Sequence, residues 1–185
     1  SVVRFGDETF SVTVDGRTLA SSPAARAVVT AGKDRVTSAY RVAGATITAI
    51  YELQPDWGFV SKRIRIEPAG AASFRVNEVG SFSAGRTPAP GESLPLSDGK
   101  FGMIYRVPSR GTGPGESVFL LHQNPYNVFA ADGSRVRASY TPEMDWNPAY
   151  GVFESDRLLI GLTPRSGRLI PAKSVAEWSH VADYD

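Results

Sequence analysis

The chain contains no cysteine and only two histidines in 185 residues. The first absence excludes disulfides, thiolate metal sites and cysteine nucleophiles. It leaves the compartment open, because many exported proteins also lack cysteine. The second leaves little for a metal centre, which normally takes three protein ligands. His122 and His180 belong to no His-x-x-His or Glu-flanked pair, and His122, ending an apolar run, reads as a buried, hydrogen-bonded residue. An excess of one charge is also missing. At a net +1 the chain offers nucleic acid no concentrated basic surface. The nearest basic run, Lys62-Arg63 with Arg65, is split by strand alternation and carries no interleaved aromatics, so it is expected to be solvated. No apolar run approaches about 18 residues and no charged-then-apolar leader is visible, so no membrane partner is expected. Helical periodicity is scarce. Only Ser174 to Val181 offers Val175, Trp178 and Val181 at spacing three, and the same residues can be read as a strand.

What the chain does have is alternation. In Ala45 to Leu53, Ile47, Ala49, Tyr51 and Leu53 share a face. In Phe59 to Ile66, Val60, Ile64 and Ile66 share one, while Ser61, Arg63 and Arg65 point away. A period of two marks strands buried on one side. Phe10 to Val14 alternates as well, and Asp15-Gly16 before Arg17 to Ala20 is a hairpin turn whose two residues tolerate positive φ. Further strands are expected over Val28 to Thr30, Val36 to Val42, Phe74 with Val76, Ser81 to Ser83, Phe101 to Val107, Val118 to His122, Val128 to Ala130 and Val136 to Tyr140. Gly151 to Glu154 and Leu158 to Thr163 read as a closing hairpin around Ser155-Asp156-Arg157. Gly85 to Lys100 and Pro108 to Gly115 are rich in proline and glycine and read as exposed loops. The expectation is all-β: a two-layer antiparallel β-sandwich with long Pro/Gly loops and little helix. It spans 1–170, and residues 171–185 form an exit strand or linker towards a downstream domain. A chain of this length buries roughly 70% of its unfolded surface and needs no staple.

Chemical signatures are sparse. Gly111-Thr112-Gly113-Pro114-Gly115 lacks the spacing and the Lys-Ser/Thr of a phosphate loop. No serine sits in Gly-x-Ser-x-Gly. Carboxylates come in close pairs, Glu52 with Asp56, Glu143 with Asp145 and Glu154 with Asp156, a spacing compatible with glycoside hydrolysis but common in surface loops. The stronger signal is aromatic. In the polar loop Thr141 to Tyr150, Glu143, Asp145, Trp146 and Tyr150 cluster; Asn124 and Tyr126 form a similar group, and Trp57 occupies an earlier turn. Flat rings with amide and carboxylate partners suit a carbohydrate, and the competing role of such rings is to plug loops onto the core. These seven residues are the candidate ligand-binding set. No catalytic residue, metal ligand or cofactor is assigned.

Tyr51 to Ile66, with its polar Gln54-Pro55-Asp56-Trp57-Gly58 turn, resembles a hairpin in the N-terminal β-sandwich of large bacterial glycoside hydrolases. Gly151 to Gly161 is similar to the closing hairpin of those domains. The resemblance implies a supersandwich related to galactose mutarotase, standing beside a separate catalytic barrel. The mutarotase His and Glu have no matching motif here, so the fold is implied and the activity is not. The expected function is a non-catalytic domain of a carbohydrate-active protein, with a weakly bound glycan, a neighbouring catalytic domain, or both as partners. A small sugar-acting enzyme using loop carboxylates and a purely structural interaction domain are the alternatives. A secreted or periplasmic location is expected, with the cytoplasm left open. Both ends are compatible with cuts through a longer protein.

Overall fold

The structure, a computed structural model, describes residues 6–21, 27–42, 44–85, 102–107, 116–132 and 135–162. Their strands are β1 (Gly6–Val14), β2 (Arg17–Ala20), β3 (Val28–Ala31), β4 (Arg35–Val42), β5 (Ala45–Glu52), β6 (Phe59–Pro68) and β7 (Phe74–Gly85). They continue with β8 (Gly102–Val107), β9 (Glu116–His122), β10 (Asn127–Asp132), β11 (Arg135–Tyr140), β12 (Met144–Trp146), β13 (Phe153–Glu154) and β14 (Leu158–Leu162). One sheet runs β10-β11-β7-β1-β2, with β12 also on β7; the other runs β3-β4-β5-β6-β14-β9-β8, with β13 also on β6. All pairings are antiparallel, and the two sheets face each other as the expected sandwich. The Pro/Gly loops over 86–101 and 108–115, the helix-or-strand segment 174–181 and the boundary at 170–171 lie outside the described residues.

Alternation accounts for the core. The inward residues of β1, β5, β6 and β7, among them Phe10, Val12, Ile47, Ile64, Ile66, Val76 and Val79, form one buried cluster with Tyr140 and Phe153. Phe82, Val118, Leu120, Val136 and Leu158 form a second. Each such aliphatic or aromatic side chain contributes about 1.5–3 kcal/mol by leaving water. At the predicted turn, Asp15 (φ 49) and Gly16 (φ 72) both lie in the left-handed region, and Val14 faces Arg17. This backbone twist matches that of the flanking strands.

Three expectations are corrected. Phe74, Val76 and Ser81 to Ser83 belong to one twelve-residue strand, which holds β1 on one edge and β11 with β12 on the other. The closing hairpin is not a hairpin. Phe153 faces Ile66, Glu154 faces Arg65, and then Leu158 faces Lys62, so both segments run along β6 in the same direction with one residue extra. Ser155-Asp156-Arg157 is therefore a bulge. Ser155 N–H donates to the Ile64 carbonyl at 2.8 Å, and its Oγ accepts from Ile64 N–H at 2.8 Å.

The third correction concerns charge. Lys62 is fully buried rather than solvated, because it shares parity with Ile64 and Ile66 and so points between the sheets. Its ammonium bonds Glu8 of β1 and lies 5.3 Å from the centroids of the Phe10 and Tyr51 rings and 5.7 Å from that of Phe82. Tyr51 Oη donates to both Glu8 oxygens, at 2.9 and 3.0 Å. Burial lowers the ammonium pKa below the usual lysine range, and Glu8 opposes that shift. Burial, and then the Glu8 charge, push the Tyr51 phenol above its ordinary range.

Candidate functional site

Two interruptions, one in each sheet, create a cleft. In the first sheet, β11 ends at Tyr140, the chain passes Thr141-Pro142-Glu143, and β12 resumes on the same edge of β7. Pro142 has no N–H for a ladder, and Glu143 adopts φ 47, so the strand breaks there. In the second sheet the matching break is the Ser155–Arg157 bulge. The loop from β9 to β10 closes a third side, tied down by Gln123 N–H donating to the Arg157 carbonyl at 3.0 Å. The enclosed space is about 260 Å³ and is lined by Asn124, Tyr126, Tyr140, Thr141, Pro142, Met144, Trp146, Phe153, Glu154 and Asp156. It is slightly below the usual size of a small-molecule site, in keeping with a shallow one.

The structure brings three of the seven sequence candidates to this cleft: Asn124, Tyr126 and Trp146. Tyr126 is 80% exposed, a ring that no core contact explains. Trp146 has a double role. Its indole N–H donates to the Gly151 carbonyl at 3.0 Å, and its ring meets Phe153 and Tyr150 edge to face, at 5.4 and 5.9 Å. Tyr150 therefore buttresses Trp146 and lies outside the lining. It belongs to the short 3-10 turn Pro148–Tyr150, capped by Asn147. Glu143 and Asp145 are turned away. Alternation along β12 sends Asp145 to the face opposite Trp146, where it meets Arg75 at 3.0 Å; Glu143 meets the same guanidinium at 3.1 Å and Asn77 at 3.1 Å. Trp57 stacks on Phe59 in the turn between β5 and β6, with centroids 4.9 Å apart, and does not line the cleft.

In place of those residues stand Tyr140, Met144, Phe153, Glu154 and Asp156. The last two are one of the carboxylate pairs visible in the sequence. Their environments differ. Glu154 pairs with Arg63 at 2.8 Å. Asp156 accepts a hydrogen bond from Asn124 Nδ2 at 2.9 Å, while its backbone N–H donates to Tyr140 Oη at 3.0 Å. Burial, then the Asp156 charge, push the Tyr140 phenol above its ordinary range.

Asn124 organises this corner. Its Oδ1 accepts from Tyr126 N–H at 2.8 Å, its carbonyl accepts from Asn127 Nδ2 at 2.5 Å, and its N–H donates to His122 Nδ1 at 3.3 Å. With Nδ1 accepting, the proton of the neutral His122 ring sits on Nε2 and is donated to Ser81 Oγ at 3.0 Å. His122 is fully buried, with Tyr140 edge to face at 4.8 Å. Burial lowers its pKa to about 4 against the opposing pull of Asp156, so it is neutral at pH 7. It supports the cleft from behind. No group of three or more His, Cys, Asp or Glu side chains among the described residues is placed to hold a metal ion.

No family model matches the chain, and no curated protein sequence matches it. Its fold is similar to part of a putative kojibiose phosphorylase from human microbiome, with a TM-score of 0.52 and 8% identity. That match covers 94% of this chain and 24% of the phosphorylase chain, so the present sequence spans about a quarter of the length of its structural neighbour. At this identity the likeness establishes a shared β-sandwich architecture.

Proposed function

We propose that this chain is a non-catalytic β-sandwich domain of a larger, secreted or periplasmic carbohydrate-active protein, and that the cleft between β12 and the Ser155–Arg157 bulge contacts a glycan. The observation that carries this reading is the convergence of the exposed Tyr126 ring, the Trp146 edge and the Asp156 carboxylate on one shallow cleft. Sugars present C–H faces to flat rings and hydroxyls to planar acceptors, so this set suits them. The resemblance of Tyr51 to Ile66 to glycoside hydrolase sandwich hairpins, and the likeness to a quarter of a phosphorylase, support the same class. A neighbouring catalytic domain is the second partner in this reading. The hydrolase alternative finds less support. A glycosidase holds one carboxyl protonated in an apolar pocket, whereas Glu154 and Asp156 are both exposed at the rim.

The test is titration with neutral oligosaccharides, followed by tryptophan fluorescence and by chemical shifts. A shallow stacking site gives millimolar to micromolar Kd, about −4 to −8 kcal/mol. Tyr126→Ala should abolish binding and leave the melting temperature unchanged. Trp146→Ala should abolish binding and also destabilise by about 3 kcal/mol, because it packs on the core. Full binding by Tyr126→Ala would refute the assignment.

A further inference from the structure

We infer, resting on the glycan reading above, that the cleft selects glycans bearing a free amino group, the ammonium seating on Asp156 and the sugar face on Tyr126. A single side chain sets this pair. Asn124 holds the Tyr126 backbone through Oδ1 at 2.8 Å and the Asp156 carboxylate through Nδ2 at 2.9 Å, so one amide ties the backbone that carries the ring to the carboxylate. The charge distribution then discriminates. Glu154 pairs with Arg63, which it shares with Glu52, and Glu143 and Asp145 share Arg75, whereas Asp156 makes no ion pair among the described residues. Among the described residues, no Lys or Arg lines the cleft. His122, the base behind Asp156, is neutral at pH 7 and cancels none of its charge. An anionic sugar would meet two carboxylates, Glu154 and Asp156, and no cationic side chain among the described lining residues. An amino sugar would meet a carboxylate beside an exposed aromatic face, the combination that attracts ammonium groups. The protein uses the same chemistry internally, where Glu8 and the Phe10, Tyr51 and Phe82 rings surround the Lys62 ammonium.

The experiment is a weak-affinity glycan array carrying the same backbones in free-amine, N-acetylated and uronate forms. The amine form should bind roughly 10-fold tighter than its N-acetylated counterpart, with uronates silent. That preference should fade when ionic strength is raised from about 50 mM to about 500 mM, as screening weakens exposed charge pairs. Asp156→Asn should remove the preference, so that amine and N-acetyl forms bind equally. Equal binding of amine and N-acetyl forms, or tighter uronate binding, overturns this inference alone. Silence from all three classes overturns the glycan reading with it. The salt series uses the unaltered protein, so it decides the question even where Asp156→Asn fails to fold.

Discussion

Glu8 and Lys62 make a pair whose two halves should be unequal under mutation. Lys62 is wholly buried, whereas the Glu8 side chain is 29% exposed and also accepts from Tyr51 Oη. Removing Glu8 strands an ammonium among Phe10, Tyr51 and Phe82 with no water to receive it, and breaking a buried pair in this way costs about 3–5 kcal/mol. Removing Lys62 leaves a carboxylate that can turn towards solvent and keeps its tyrosine donor. Lys62→Met also fills the same buried space with a flexible apolar chain beside the Phe10, Tyr51 and Phe82 rings. Replacing a buried ion pair by hydrophobes of similar volume is neutral or stabilising by about 1–4 kcal/mol, and the one carboxylate left here is partly exposed to water. Urea unfolding, read as a midpoint shift at constant m-value, should therefore show Glu8→Gln losing about 3 kcal/mol and Lys62→Met losing nothing. The double variant should recover most of the Glu8→Gln loss. The pH dependence has a definite sign. With the native Lys62 pKa below its unfolded value of 10.5, the unfolded chain binds more protons between the two, so stability rises with pH across that interval. Without Glu8 to raise the native pKa, the rise in Glu8→Gln should begin at lower pH. A loss above about 2 kcal/mol in Lys62→Met, with Glu8→Gln costing less than about 1 kcal/mol, would refute this reasoning.

His122 should make the fold acid-sensitive. Its native pKa of about 4 lies below the unfolded 6.5, so its contribution is complete above pH 6.5 and is lost as pH falls towards 4, by about 3 kcal/mol in all. Denaturant unfolding at pH 7 and pH 4.5 should show a steeper loss in the wild type than in His122→Gln, and equal slopes would count against a buried neutral imidazole. Gly161→Ala should destabilise by about 1–3 kcal/mol through overpacking. A methyl group there would run into the buried Phe119 ring and come within 3.0 Å of the Gly58 carbonyl. A melting temperature equal to wild type would show that the Phe119 ring can move aside.

Strand content and the two-layer class were legible in the amino-acid sequence, because period-two alternation and the Asp15-Gly16 turn are local properties. The sequence also marked Asn124, Tyr126 and Trp146, since exposed-type rings beside amides stand out in a short window. Parity alone even placed Lys62 on the Ile64 face; residue type argued the opposite, and only tertiary structure could bring Glu8 across from 54 positions away. The same limit applies to Ser155-Asp156-Arg157. Those three residues serve equally as a turn or a bulge, and the outcome depends on β6 pairing with both flanking segments. Glu143 and Asp145 looked like partners of Trp146 because a three-residue edge strand is too short to show its alternation. Once β12 pairs with β7, alternation sends Asp145 to Arg75 and Trp146 to the cleft. The cleft itself exists because breaks in two different sheets coincide in space. Asp156 meets Asn124 across 32 residues of chain, a contact brought about by the antiparallel pairing of β9 with β14 in one sheet.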